Sequence, residues 1–188
     1  MIVTETLTLA GRGFHGAIRL RPGIVAGMFG ELQWEYVMGN RAMVVFKSEH
    51  STSPAVYLHW NGGPESVYTF LEYMEKANCR MAGDPSYAAA RFCQIAGNYF
   101  GGTLSLGVCN VKPQDVENID PGDNGIFIIE KGCVRRYVWP EIGTGSRWLS
   151  EKEVDAERDR AREHEYNRDG KLLAEIAAVN DPIFQKRD

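Results

Sequence analysis

The residues of this chain whose types and spacing suit chemistry lie close together: His59, Trp60, Asn61, Gly62, Gly63, Glu65 and Ser66. His59 and Glu65 are the candidate catalytic groups, because an imidazole and a carboxylate can pass a proton near neutral pH. Ala55–Trp60 reads as a strand, Asn61-Gly62-Gly63 as a glycine turn, and Pro64 as the start of a helix. Strand, turn and helix N-terminus in succession present backbone N–H groups to an anion. The same seven residues also make a candidate ligand- or partner-binding surface. On a strand, His59 and Trp60 face opposite sides, so one enters the core and the other meets the loop surface. The competing structural reading has His59 hydrogen-bonded across the turn and Trp60 packed under the helices. Pairing His59 with a cysteine nucleophile is a further option that sequence spacing does not test.

Other motifs are weaker. Gly11-Arg12-Gly13-Phe14-His15-Gly16 fits the dinucleotide pattern G-x-G-x-x-G, but no helix follows it, and a flexible glycine loop is expected. Asp115, Glu117, Asp120 and Asp123 surround Pro121-Gly122 without calcium-loop spacing or a terminal bidentate Glu, and read as a solvated turn. Arg135, Arg136, Tyr137, Trp139 and Trp148 could form an aromatic and basic patch that stacks bases. Cys79, Cys93, Cys109 and Cys133 contain no C-x-x-C pair and read as free core thiols. No metal site and no cofactor is expected.

These residues need elements to position them. Ile2–Leu9 alternates as a strand, with a short strand at Ala17–Leu20. Leu32–Met38 and Met43–Lys47 suggest a hairpin across Gly39-Asn40. After Pro64, apolar Val67, Phe70, Leu71 and Met74 recur at helical spacing. A second helix opens at Asp84-Pro85, with Asp84 as its N-cap, and runs to about Tyr99. Thr103–Val108 reads as a strand, Val111–Ile119 as an irregular connection, and Gly125–Glu130 with Val134–Trp139 as a hairpin across Lys131-Gly132. The expected fold is α+β: a largely antiparallel sheet with two helices on one face, plus a charged helical C-terminal extension. Residues 1–146 would form the globular domain and 147–188 the extension, joined near Gly143-Thr144-Gly145-Ser146. In the extension, Asp155/Arg158, Glu157/Arg160 and Asp159/Arg162 are set for a solvated helix. Lys171–Val179 is a second helical stretch whose Leu172, Leu173, Ile176 and Ala177 could dock on the body or on a partner.

Composition limits the function classes. The chain has 188 residues, 44% of them hydrophobic, enough for a real core. Residues 147–188 hold 20 of the 46 charged side chains, 9 basic and 11 acidic, so the extension has charge density without net sign. A net charge of −4 makes nucleic acid an improbable primary partner. No apolar run approaches the ~18 residues of a membrane span. The start Met1-Ile2-Val3-Thr4-Glu5 lacks a basic region followed by an apolar one, so a cytoplasmic location is expected.

Two resemblances add to this. Asn61-Gly62-Gly63-Pro64-Glu65-Ser66 is distantly similar to the Ser-Gly-Gly-x-Asp-Ser loop of the ATP pyrophosphatase superfamily, with Asn for the leading Ser and Glu for Asp. His59-Trp60-Asn61-Gly62-Gly63-Pro64, after Arg41–Phe46 and Val56–Leu58, resembles a group of short, mostly uncharacterised phage- and plasmid-borne proteins. In these a β-hairpin ends in His-Trp-Asp-Gly-Tyr-Pro and runs into a helix. Asn61 and Gly63 stand where that group has Asp and Tyr. This resemblance implies a mobile-element accessory protein. Together with the charged extension, which could engage a partner, it leads to the expectation of a non-enzymatic protein that binds a host protein; inhibition of a bacterial defence system, such as a CRISPR effector, is one form of that role. The alternatives are a small nucleotide-binding or hydrolytic enzyme using the His59–Ser66 loop and, more weakly, a nucleic-acid-binding protein.

Overall fold

The computed structural model describes residues 40–101, 106–119, 122–138 and 146–184. The expected features at 2–38, Thr103–Ser105, Asp120-Pro121 and Trp139–Gly145 lie outside these residues. The elements run β1 (Ala42–Lys47), β2 (Ala55–Leu58), α1 (Pro64–Lys76), α2 (Pro85–Tyr99), β3 (Leu106–Cys109), a 3-10 helix (Pro113–Asn118), β4 (Ile126–Glu130), β5 (Cys133–Val138), β6 (Arg147–Trp148), α3 (Glu151–Glu163), a short 3-10 turn (Arg168–Gly170) and α4 (Lys171–Phe184).

The six strands form one mixed sheet in the order β3-β2-β1-β4-β5-β6. Only β1 and β4 run parallel, in register from Met43↔Ile126 to Lys47↔Glu130; the other neighbours are antiparallel. This is an α+β fold with a mostly antiparallel sheet. Among the described residues β1 lies between β2 and β4; the hairpin expected across Gly39-Asn40 needs Leu32–Met38, which lies outside them. The hairpin partner of β1 is β2, through a turn in which Ser53 is buried and its Oγ accepts the Phe46 N–H at 3.0 Å.

The apolar runs Met43-Val44-Val45-Phe46 and Ile126-Phe127-Ile128-Ile129 lie at the sheet centre and are buried on both faces, which is why they do not alternate with polar residues. Val44, Phe46, Phe127 and Ile129 face the helices, whereas Met43, Val45, Ile126 and Ile128 pack with Val116 of the 3-10 helix on the opposite face. Phe70 on α1 anchors the helical layer, edge-on to Phe92, Tyr99 and Phe100 at 5.6–5.9 Å between ring centroids. α2 is capped by Asp84, whose side chain accepts the Tyr87 N–H at 2.9 Å.

The extension is joined to the body through long-range polar contacts. α3 packs on α1 and β5, and α4 on α1 and α2, so more than two helices cover this face. Leu172 and Ile176 are buried in the same core as Phe70. None of the expected surface pairs on α3 closes among the described residues. Glu157 instead turns inward and meets Arg136 of β5 at 2.8 Å, because a carboxylate near a nearly buried guanidinium gains more there than from an exposed arginine one turn along the helix. α4 also runs past the expected stop at Val179, through Pro182. Asn180 is fully buried, donating to the Ile95 and Ile176 carbonyls and accepting from Asn98, while Tyr73 donates to Asp181 at 2.7 Å. No helix among the described residues is long and apolar enough to cross a membrane.

Candidate functional site

The loop between β2 and α1 is built by close backbone approach. β2 ends at Leu58, and His59 and Trp60 lie in the bend after it. Asn61 adopts a left-handed backbone (φ 56°), which reverses the chain. Gly62 then passes against the start of β1: its N–H donates to the Asn40 carbonyl at 2.8 Å, and a Cβ there would lie 2.6 Å from the Ala42 nitrogen. Gly63 caps α1, its carbonyl accepting the N–H groups of Ser66 and Val67 at 3.0 Å.

The anion cradle suggested by sequence is already filled. Pro64 has no N–H, the Ser66 and Val67 amides are taken by Gly63, and the Glu65 carboxylate folds back over Gly63 where it would meet any added Cβ. A resident carboxylate at the helix N-terminus takes up the local positive potential and repels a phosphate. Ser66 is buried, its Oγ 3.4 Å from Asn61 Nδ2. Asn61, Gly62, Gly63 and Ser66 therefore hold the loop in shape.

His59 and Trp60 do not take opposite sides of a strand. β2 has ended before them and both are exposed, with their rings edge-on at 5.0 Å. His59 Nδ1 lies 3.3 Å from the Tyr57 hydroxyl. Trp60 is 43% exposed and not packed under the helices. Among the described residues no hydrogen bond joins His59 to Glu65 or to a cysteine. Burial pushes the Cys93 and Cys109 thiols up, away from the thiolate a nucleophile needs. Cys133 is exposed at the β4–β5 turn and is not a core residue. The clefts between α1, α3 and the β4–β5 turn (about 110 Å³) and between α1 and α4 (about 540 Å³) include none of the seven residues.

A second exposed aromatic, not identified from sequence, shares this end of the helical layer. The turn between α3 and α4 is tied to the first turn of α1 by Asn167, which donates to the Glu65 carbonyl at 2.8 Å and the Ala161 carbonyl at 2.7 Å. The Thr69 hydroxyl lies 3.0 Å from Asn167 Oδ1. Next to Asn167, Tyr166 is 61% exposed and stacks on His164 with centroids 5.4 Å apart. The only local signal for this turn is the polar run Tyr166-Asn167-Arg168-Asp169-Gly170; its destination depends on residues about a hundred positions away.

Of the aromatic and basic patch, Trp139 lies outside the described residues, and the other members are engaged with neighbouring groups. Arg136 is 2% exposed, stacks on Phe127 at 3.5 Å, donates to Glu157 and to the carbonyls of Asn124 and Ile126, and has no free edge for a base. Tyr68 also donates to Glu157, and burial, followed by this carboxylate, pushes its phenol up so that it remains a donor. Arg135 lies over Trp148, whose indole N–H donates to Glu117. Asp123 is likewise not simply solvated: burial raises its carboxyl, but hydrogen bonds from the Arg41 side chain and amide outweigh this and hold it below the usual range. No protein-family model, no curated protein and no solved structure matches this chain.

Proposed function

We propose that this chain is a non-enzymatic protein of a phage or plasmid that acts in the bacterial cytoplasm by binding a host protein. The observation that carries the reading is Trp60: a large aromatic, exposed, on a loop fixed by Gly62–Asn40, Gly63–Ser66 and Asn61–Ser66 contacts. Rigid exposed tryptophans supply contact area with little ordering cost and dominate many protein interfaces. Tyr166, at the same end of the helical layer, extends the surface. The enzymatic alternative loses support because Glu65 covers the helix N-terminus and, among the described residues, no hydrogen bond joins His59 to Glu65 or to a cysteine. The similarity of the His59–Pro64 segment to mobile-element proteins supports the host-directed role, with inhibition of a defence system as its specific form.

The test places a photo-crosslinking residue at position 60, and as a control at Lys131, in the full chain expressed in bacteria. One host protein should crosslink from position 60 and not from 131, and the purified partner should lose at least tenfold in affinity for Trp60→Ala. Expression should also restore plating of a targeted phage on a strain carrying that defence. Equal crosslinking from both positions, or unchanged affinity in Trp60→Ala, defeats the reading.

A further inference from the structure

The geometry points to a phosphate-binding site formed by Arg80 and Arg91, which meet at the Tyr87 ring of α2, separate from the Trp60 surface. Both guanidinium groups lie against the ring of Tyr87, with their central carbons 4.7 Å and 4.9 Å from its centroid, so no more than 9.6 Å separates them. Two like charges share one ring, and neither has a carboxylate partner among the described residues. This sets them apart from Arg41, Arg136 and Arg147, which each close an ion pair at 2.7–2.9 Å. Arg91 is the only charged residue of α2 and is half-buried. Its Nη1 donates to Gln94 at 2.5 Å, while its Nε is buried with no acceptor. The nearest acid in sequence, Asp84, accepts the Tyr87 amide as the helix cap.

A half-buried cation without a counter-charge is costly, and a second cation beside it adds repulsion. An oxyanion that reaches both guanidinium groups offsets both penalties. A phosphate monoester suits the pair better than a carboxylate, because it carries close to two negative charges and three acceptor oxygens for two guanidinium forks. The phosphate can be free or carried on a phosphorylated side chain.

The test follows the Arg91 Nε–H resonance by NMR in the full chain during titration with inorganic phosphate, with sodium chloride at matched ionic strength as control. Phosphate should shift it saturably and chloride should not. Arg80→Gln, a change at an exposed position, should weaken the response at least fivefold. A phosphoserine hexapeptide binding at least tenfold more tightly than inorganic phosphate identifies a phosphorylated partner as the source, and equal binding identifies free phosphate. A response identical in chloride, an unchanged response in Arg80→Gln, or acetate binding as tightly as phosphate overturns the proposal. None of these outcomes bears on Trp60, so the two readings stand or fall separately.

Discussion

The β2–α1 loop and the α3–α4 unit are held in place in different ways. Most of the loop's hydrogen bonds join residues no more than five positions apart, with Gly62–Asn40 the exception. α3 and α4 reach back to β5, α1 and α2 through Glu157, Asn167, Asn180 and Asp181, across separations of 21 to 108 residues. A locally built loop can carry an exposed tryptophan whose removal leaves the fold intact. A region clamped at long range cannot be removed without uncovering the core beneath it. The charged extension is therefore part of the scaffold, and the surface we propose for a partner is the end of the helical layer where both regions meet.

The largest expected effect comes from deleting residues 147–188. This uncovers the core around Ile176 and leaves the Arg136 guanidinium buried without its carboxylate, so the shortened chain should show no cooperative thermal transition by calorimetry. If it unfolds cooperatively near the full-length temperature, the extension is not structural. Next is Glu157→Ala, which strands Arg136 and should cost about 3–5 kcal/mol in a denaturant titration. Asn180→Ala should cost about 1–3 kcal/mol, because the Ile95 carbonyl and the Asn98 amide lose a buried partner.

A smaller, pH-dependent effect belongs to the start of α3. Ser150 and Glu153 form a capping box, and Arg147, then Ser150, hold the Glu153 carboxyl down at about 2. Because this lies below the ordinary value, the stabilisation is complete above about pH 4.5 and disappears as pH falls towards 2. The melting-temperature gap between the natural chain and Glu153→Gln should therefore be present at pH 6 and shrink steadily down to pH 2. The smallest stability effect is that of Trp60→Ala, within about 0.5 kcal/mol, as expected for an exposed side chain. A much larger loss would place Trp60 in the scaffold and erase the contrast between loop and extension.

Much of the local structure was legible. Asp84-Pro85 marks the start of α2 because a carboxylate cap and a first-turn proline each suit only that position. Lys131-Gly132 marks the β4–β5 turn, where both residues adopt positive φ. Helical periodicity locates α1. The continuous apolar runs of β1 and β4 show strands buried on both faces but not which strands lie beside them; that β1 sits between β2 and β4 is announced by no local pattern. In the candidate site, the glycine turn was legible from Gly62-Gly63, whereas the Glu65 carboxylate covering the helix end was not, since a side chain's direction depends on its surroundings. Asn180-Asp181-Pro182 looks like a helix stop, yet its polar side chains take partners on α2 and α1 that no local pattern announces.

Residue type and spacing alone determined α1, α2 and the β4–β5 hairpin, the Asp84 cap, the glycine turn and the α+β class, because each rests on contacts within a few residues. Tertiary structure decided that Glu157 and Arg136 form a nearly buried ion pair, that Trp60 is exposed, that Tyr166 joins its end of the molecule, and that Arg80 and Arg91 face one ring without a counter-charge. These outcomes depend on which groups from distant segments compete for the same partner, and only the folded packing resolves that competition.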